Sequence, residues 1–323
     1  MALGALATMA WAQSSAGVAG PVTGFVFDSQ LGAVRPMLGI PGAAYLGNAV
    51  ATGLGAASVA PDGSAALTVQ QGGKLVLYSG LRSAATVAVA LAIPGADHFA
   101  WAPNSTAAAV YSSRNGQGQI LTNLAASPAA AALIDLSSLP GQVTALAFDG
   151  QRLILAVASG DSGGIYLATA AAGVQRVASA ASPSAIALAG SSLYFADNQS
   201  QQIFQVENYA TTPAAVLFAN DSGISSPAGL QVSADGLRLY VANAGNRKLA
   251  VYDIASRSPV QSLDLVFTPT RLDRFGDSSV FLMNGTGQGP LYVVRDGGAG
   301  KAAVYFVPAP ARRHPLKAPI RPI

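Results

Sequence analysis

The chain repeats itself. Segments opening at Ala57, Asp97, Val143, Ser184, Pro227 and Pro269 follow one another at intervals of 40, 46, 41, 43 and 42 residues. A fixed period of this size constrains a fold strongly, because each unit must be one supersecondary element stacked on its neighbours. Every unit starts with a short apolar run and then a tight turn. The turns are Pro61-Asp62-Gly63, Pro103-Asn104, Asp149-Gly150, Gly190-Ser191, Asp235-Gly236 and Gly276-Asp277. Such residues tolerate positive φ or bond their own backbone, which is what a hairpin requires. A second apolar run follows, such as Leu239-Tyr240-Val241, then a polar loop and a third run such as Leu249-Ala250-Val251-Tyr252. Most units add a fourth run, at 85–91, 173–178, 214–218 and 259–265.

Four short strands about every 40 residues predict an all-β β-propeller, with radial four-stranded blades. One domain over 22–308 accommodates it. A further strand pair, 22–27 and 33–38 joined at Asp28-Ser29-Gln30, precedes the first full unit. The expected architecture is six four-stranded blades plus this N-terminal strand pair, with seven blades as the alternative. Closure of the ring matters because an unpaired sheet edge invites aggregation. No window keeps a helical period, and the alanine-rich stretch 125–134 is the only candidate helical turn.

The fifth unit, from Ser233-Ala-Asp-Gly-Leu-Arg-Leu-Tyr-Val-Ala-Asn through Leu249-Ala-Val-Tyr-Asp253, resembles the YVTN type of propeller repeat. Phe195-Ala196-Asp197-Asn198 in the fourth is similar to NHL-type repeats. The resemblance covers 57–308 but is close only over 184–265. It implies the propeller fold. It leaves function open, because these families include lactonases, lyases, adhesins and binding scaffolds. The other four units keep the turn and lose the motif letters.

Composition narrows the chemistry. Charged residues make up 10% of the chain, and there is no cysteine. That excludes a disordered chain, a disulfide scaffold, a thiolate metal site and a cysteine nucleophile. Glutamate occurs once, at Glu207, and histidine twice, at His98 and His314. A serine triad needs a positioned histidine, and glycosidase chemistry needs two convergent acids. The expectation is therefore no catalytic residue, no metal and no cofactor. The formal net charge of +3 is misleading, since Arg312, Arg313, Lys317 and Arg321 sit in the tail 309–323 without an acid. The body is left near neutral, which argues against a nucleic-acid partner. The tail is proline-rich, so it is expected to hold no regular strand and to be dispensable for folding.

The first twelve residues, MALGALATMAWA, are apolar and end in Ala10-Trp11-Ala12, an A-x-A cleavage pattern. No Lys or Arg precedes Arg35. The reading is a truncated signal peptide over 1–12 and a secreted, periplasmic or cell-surface protein without a transmembrane segment, expected to be a monomer.

Function is placed on the turns between second and third strands, which share one face of a propeller. The candidate binding residues are Arg114, Asp161, Asp197, Asn198, Asn246 and Arg247. The arginines suit a carboxylate-bearing partner, and the amides and acids supply directional hydrogen bonds. The expected function is a non-catalytic scaffold that binds a small molecule, glycan or protein. The alternative is a lactonase-like hydrolase or lyase with a weak metal site.

Overall fold

The computed structural model describes residues 20–308 except 84–86, 92, 288, 299 and 300. The segments 1–12 and 309–323 lie outside the described residues. The described chain forms seven separate antiparallel sheets arranged as blades. Blade 1 holds Val22–Asp28, Ala33–Ile40 and Ala43–Leu46. The innermost strands of blades 2 to 7 are Leu54–Val59, His98–Trp101, Gln142–Phe148, Pro183–Ala189, Pro227–Val232 and Asp273–Phe275. Strands within each blade follow chain order outward, so every connection is a local meander.

Two expectations need correction. The N-terminal strand pair is part of a blade in its own right, because Ala43–Leu46 adds a third strand along Ala33–Ile40. Seven blades therefore replace six plus a pair. That third strand, Ala-Ala-Tyr-Leu, lies among glycines and carries no β-branched residue, which hid it. The stretch 125–134 is not helical. Ala129–Ala130 and Ile134–Asp135 both pair with Gln117–Thr122 and share the outer position of blade 3. A vacant sheet edge overrides the helix propensity of alanine.

The blades pack by aliphatic and aromatic side chains between their faces. Tyr194, Ala196, Ile203, Phe218, Leu239, Val241 and Tyr252 form one such layer between blades 5 and 6. Inner strands bulge near their starts, with register shifts between Val143 and Ala145, Pro183 and Ala185, and Pro227 and Gly229. A bulge re-aims the extra residue. Here it turns a hydroxyl toward the next blade: Thr144 Oγ1 donates to Pro183 O at 2.5 Å and Ser184 Oγ to Pro227 O at 2.7 Å.

Blade 1 differs from the rest. In blades 2 to 7 the chain runs inward-strand first, starting on the face that carries the second-to-third-strand turns. In blade 1 the turn after Val22–Asp28 is the one on that face. Gly32 in this turn accepts from Leu54 N, the start of the inner strand of blade 2, at 2.9 Å. Ser29 N and Oγ bond Thr286, in the second-to-third-strand turn of blade 7, at 3.0 and 2.9 Å. At the other end, Arg82 reaches Val22 O at 3.0 Å and Gly276 O at 3.5 Å. The three strands thus occupy the second, third and fourth positions of a blade. Among the described residues the innermost position of blade 1 is vacant.

Among the described residues the ring closes by side-chain packing between its first and last blades. Val26, Met37 and Ala44 of blade 1 pack on Phe275, Val280, Leu282, Leu291, Val293 and Val307 of blade 7.

Candidate functional site

The inner strands surround a cavity of about 390 Å³ that follows the central channel. Its lining is uneven. Apart from Ser58, blades 2 to 5 contribute apolar residues, with the aromatic rings of Phe99 and Trp101 on blade 3. Trp101 Nε1 donates to Ser58 Oγ at 3.0 Å, which fixes the indole across two blades. Blade 1 contributes Phe25, Val26 and Phe27 where an inner strand would otherwise lie. Every charged lining residue belongs to blade 7: Arg271, Asp273 and Arg274.

This charged wall is internally braced. Arg271 Nε lies 3.3 Å from Asp273 Oδ2, and Arg271 Nη2 donates to Asn284 O at 3.1 Å. Arg274 Nη2 donates to Val232 O at 2.7 Å, and its guanidinium carbon stands 5.8 Å from the centre of the Phe281 ring. Burial lowers the Arg274 guanidinium from the ordinary arginine range. The signal for this wall was present in the sequence. Arg271-Leu-Asp-Arg274 is the only opening run among the six repeats that carries arginine.

The six predicted binding residues fall on one face as expected from the topology, in blades 3 to 6, but none of them lines the cavity. Arg114, Asp161 and Arg247 are exposed on their turns. Asn198 and Asn246 are half-buried. Asn246 Nδ2 donates to Gly223 O at 3.1 Å, and Asn198 Oδ1 accepts from Ser184 Oγ at 3.3 Å. No hydrogen bond among the described residues joins two of the six.

Asp197 is buried and committed to the backbone. It accepts from Ser182 N at 2.9 Å, Gln199 N at 3.2 Å and Ser200 Oγ at 3.1 Å. Asn243 holds the same position in blade 6, where its Oδ1 accepts from Ser225 N at 3.0 Å. Each ends a second strand and ties down the connection entering its own blade. The letters that carry the YVTN and NHL resemblance are thus structural latches. Asn243→Ala is expected to cost about 1–3 kcal/mol in urea unfolding, because a buried donor loses its partner. Asn243→Asp, which keeps the acceptor as Asp197 does, should cost clearly less. Equal losses for both variants would refute the latch.

His98 stands at the start of its inner strand, with Nδ1 2.9 Å from Asp97 Oδ1 and its ring 5.5 Å from Tyr111. Asp97 also accepts from Ser113 N at 3.1 Å and from Ser113 Oγ. Burial pushes the Asp97 carboxyl up, but the hydrogen bonds from Ser113 and His98 outweigh it and hold the group below the usual carboxylate range. The serine hydroxyl is spent on the carboxylate rather than the imidazole, an arrangement that ties a turn rather than building a proton relay. Among the described residues no three His, Cys, Asp or Glu side chains cluster where a metal could sit, and no helix is long and apolar enough to cross a membrane.

Comparison with solved structures shows the fold. A putative 6-phosphogluconolactonase from Bacteroides fragilis NCTC 9343 is 11% identical, with 89% of this chain and 94% of that chain covered at a TM-score of 0.62. A functionally unknown protein from Desulfotomaculum acetoxidans DSM 771 is 14% identical, with 88% and 99% covered at 0.62. The Cps50 (Swd1) β-propeller domain of Myceliophteria thermophila is 14% identical, with 82% and 94% covered at 0.53. This chain is a β-propeller. Comparison with protein-family models gave no match, so the YVTN and NHL resemblance rests on the residues quoted for it. Comparison with curated proteins gave no match either. At these identities the propeller neighbours carry the fold and no activity.

Proposed function

We propose that this propeller is an exported, non-catalytic binding scaffold, with its ligand held in the central channel. One observation carries this reading: a cavity of about 390 Å³ with its charged groups confined to one blade. That size falls within the range of small-molecule sites, about 300–1,000 Å³. A lining with aromatic rings on one side and a charged wall on another orients a ligand end to end. Arg271 and Arg274 suit a carboxylate, Asp273 a donor beside it, and Trp101 with Phe99 an apolar or ring-shaped body. The exposed turn residues Arg114, Asp161 and Arg247, with Asn198 and Asn246 beside them, form the outer rim on which a larger glycan or protein would rest. Export follows from reading residues 1–12 as a signal segment.

The test is a thermal-shift screen of aliphatic and aromatic carboxylates on the full chain. A stabilising carboxylate should lose its shift in Arg271→Ala and keep it in the Arg114→Ala/Arg247→Ala double variant. The opposite pattern would move the site to the turn face and overturn the channel assignment.

A further inference from the structure

We propose that the outer edge of blade 7 pairs with the same edge of a second copy of this chain, making a twofold dimer. The edge strand is Ala302–Val307, Ala-Ala-Val-Tyr-Phe-Val, a β-prone run with no charge and no proline. Its open backbone positions follow from register. Ala302 N donates to Gln261 Oε1 at 2.8 Å and Ala302 O accepts from Gln261 Nε2 at 3.0 Å, so Ala302 turns its groups away from its own blade. Tyr292, opposite Phe306, likewise spends its N–H on Asn284 Oδ1 and its carbonyl on Met283 N, not on the outer strand. Val304 and Phe306 therefore point their N–H and C=O groups outward. Among the described residues those groups have no hydrogen-bond partner. Other outer strands are blunted. Arg257 donates to Leu217 O at 3.3 Å on Ala214–Ala219, Ser258–Asp264 carries Pro259, and Gly173–Ser179 carries Arg176.

The occupant follows from the length of this opening and its symmetry. Gln261 closes one end at Ala302. Pro308, the next outward position after Phe306, has no N–H to offer. A long foreign strand finds no continuous ladder here. A second copy does, in one antiparallel register. Val304 against Phe306, repeated about a twofold axis at Tyr305, makes both pairs hydrogen-bonded. The neighbouring symmetric registers fail. Val304 against Val304 sets Phe306 on the capped Ala302, and Phe306 against Phe306 sets Val304 on Pro308. The side chains suit the same register. Val304 packs on the layer between blades 6 and 7, and Phe306, on the same side of the strand, is 60% exposed. With Val266, Phe267 and Tyr292 they line a cavity of about 230 Å³. The Phe267 and Tyr292 rings stack at 3.7 Å between centres, and Val266 is 85% exposed. The twofold register brings the partner's Phe306 beside Val304, at this cavity, and benzene fits an apolar cavity of about 150 Å³. Asp264 at the rim is paired with Lys248 at 3.3 Å, so a second copy brings no unbalanced like charge. A dimer replaces the expected monomer. The contact lies on the outer rim, so it stands whether or not a ligand binds in the channel.

Sedimentation velocity on the full chain should show monomer passing to dimer as concentration rises through the micromolar range. Phe306→Lys should raise the dissociation constant by about tenfold or more, because it removes the anchor and sets like charges together. Leu217→Lys, on the outer strand of blade 5, should leave it unchanged. The chain has no cysteine, so introduced thiols read the register directly. Tyr305→Cys places two thiols across the axis, where the Cα atoms of a non-hydrogen-bonded pair stand about 4.5 Å apart. It should form an interchain disulfide on mild oxidation. Ala303→Cys, off the axis, should not. A chain that stays monomeric, a dimer untouched by Phe306→Lys, or equal cross-linking of the two cysteine variants would each overturn the proposal. So would a monomer whose Val304 and Phe306 amides resist hydrogen exchange, because another segment would then hold the edge.

Discussion

Gly276→Ala should destabilise the protein by about 3 kcal/mol, read as a shifted urea midpoint with an unchanged slope. Two effects add. The backbone at Gly276 has φ of +74°, where a Cβ is strained, and that alone costs about 1 kcal/mol. A Cβ there would also stand 1.7 Å from Thr23 O, a backbone atom of blade 1 that cannot move aside cheaply. Gly236 is a matched control. It has the same φ of +74° in the corresponding turn of blade 6, with nothing within 4 Å of its Cβ position. Gly236→Ala should therefore show only the conformational cost. If the two variants lost the same stability, the first and last blades would not be pressed together at this turn.

Arg35→Ala should cost about 3–5 kcal/mol, the range for removing one partner of a buried ion pair. Arg35 Nη1 lies 3.0 Å from Asp28 Oδ2, and the two side chains are 11% and 6% exposed. The same guanidinium donates through Nε to Gly47 O at 2.8 Å and through Nη2 to Leu46 O at 3.1 Å. One side chain thus joins the first, second and third strands of blade 1, the blade with the fewest strands. The Arg35→Met/Asp28→Leu double variant should recover much of the loss, because an apolar pair removes the uncompensated buried charge. It should not recover all of it, since Asp28 Oδ1 also accepts from Gln30 N and Leu31 N at 3.2 Å. A near-neutral Arg35→Ala in denaturant titration would contradict the closure described for this blade.

The repeat was legible because each blade is local. Strand, hairpin turn and strand lie within about 40 residues, so their alternation and punctuation survive in the linear text. Asp149, Asp235 and Asp253 show this well: each carboxylate bonds backbone N–H groups two or three residues on, as its turn position implies. Blade 1 was only partly legible, since Ala43–Leu46 is recognisable as a strand chiefly through its partner, Ala33–Ile40. The backbone role of Asp197 was hidden for a similar reason. A polar residue at a strand end looks available until the connection it holds, at Ser182, is brought beside it.

By itself, the order of residues determined the fold class, the unit length and the turn chemistry, because these depend on contacts among near neighbours. It also held the charged run of Arg271, Asp273 and Arg274 in plain view. Only the tertiary structure decided the blade number, the place of those charges on the channel wall, and the vacancy at the centre of blade 1. The meeting of the first and last blades depends on residues more than 200 positions apart, such as Thr23 against Gly276 and Ser29 against Thr286. Ring closure brings the two ends of the chain together, and no local pattern encodes which edges will then meet or which will be left unpaired.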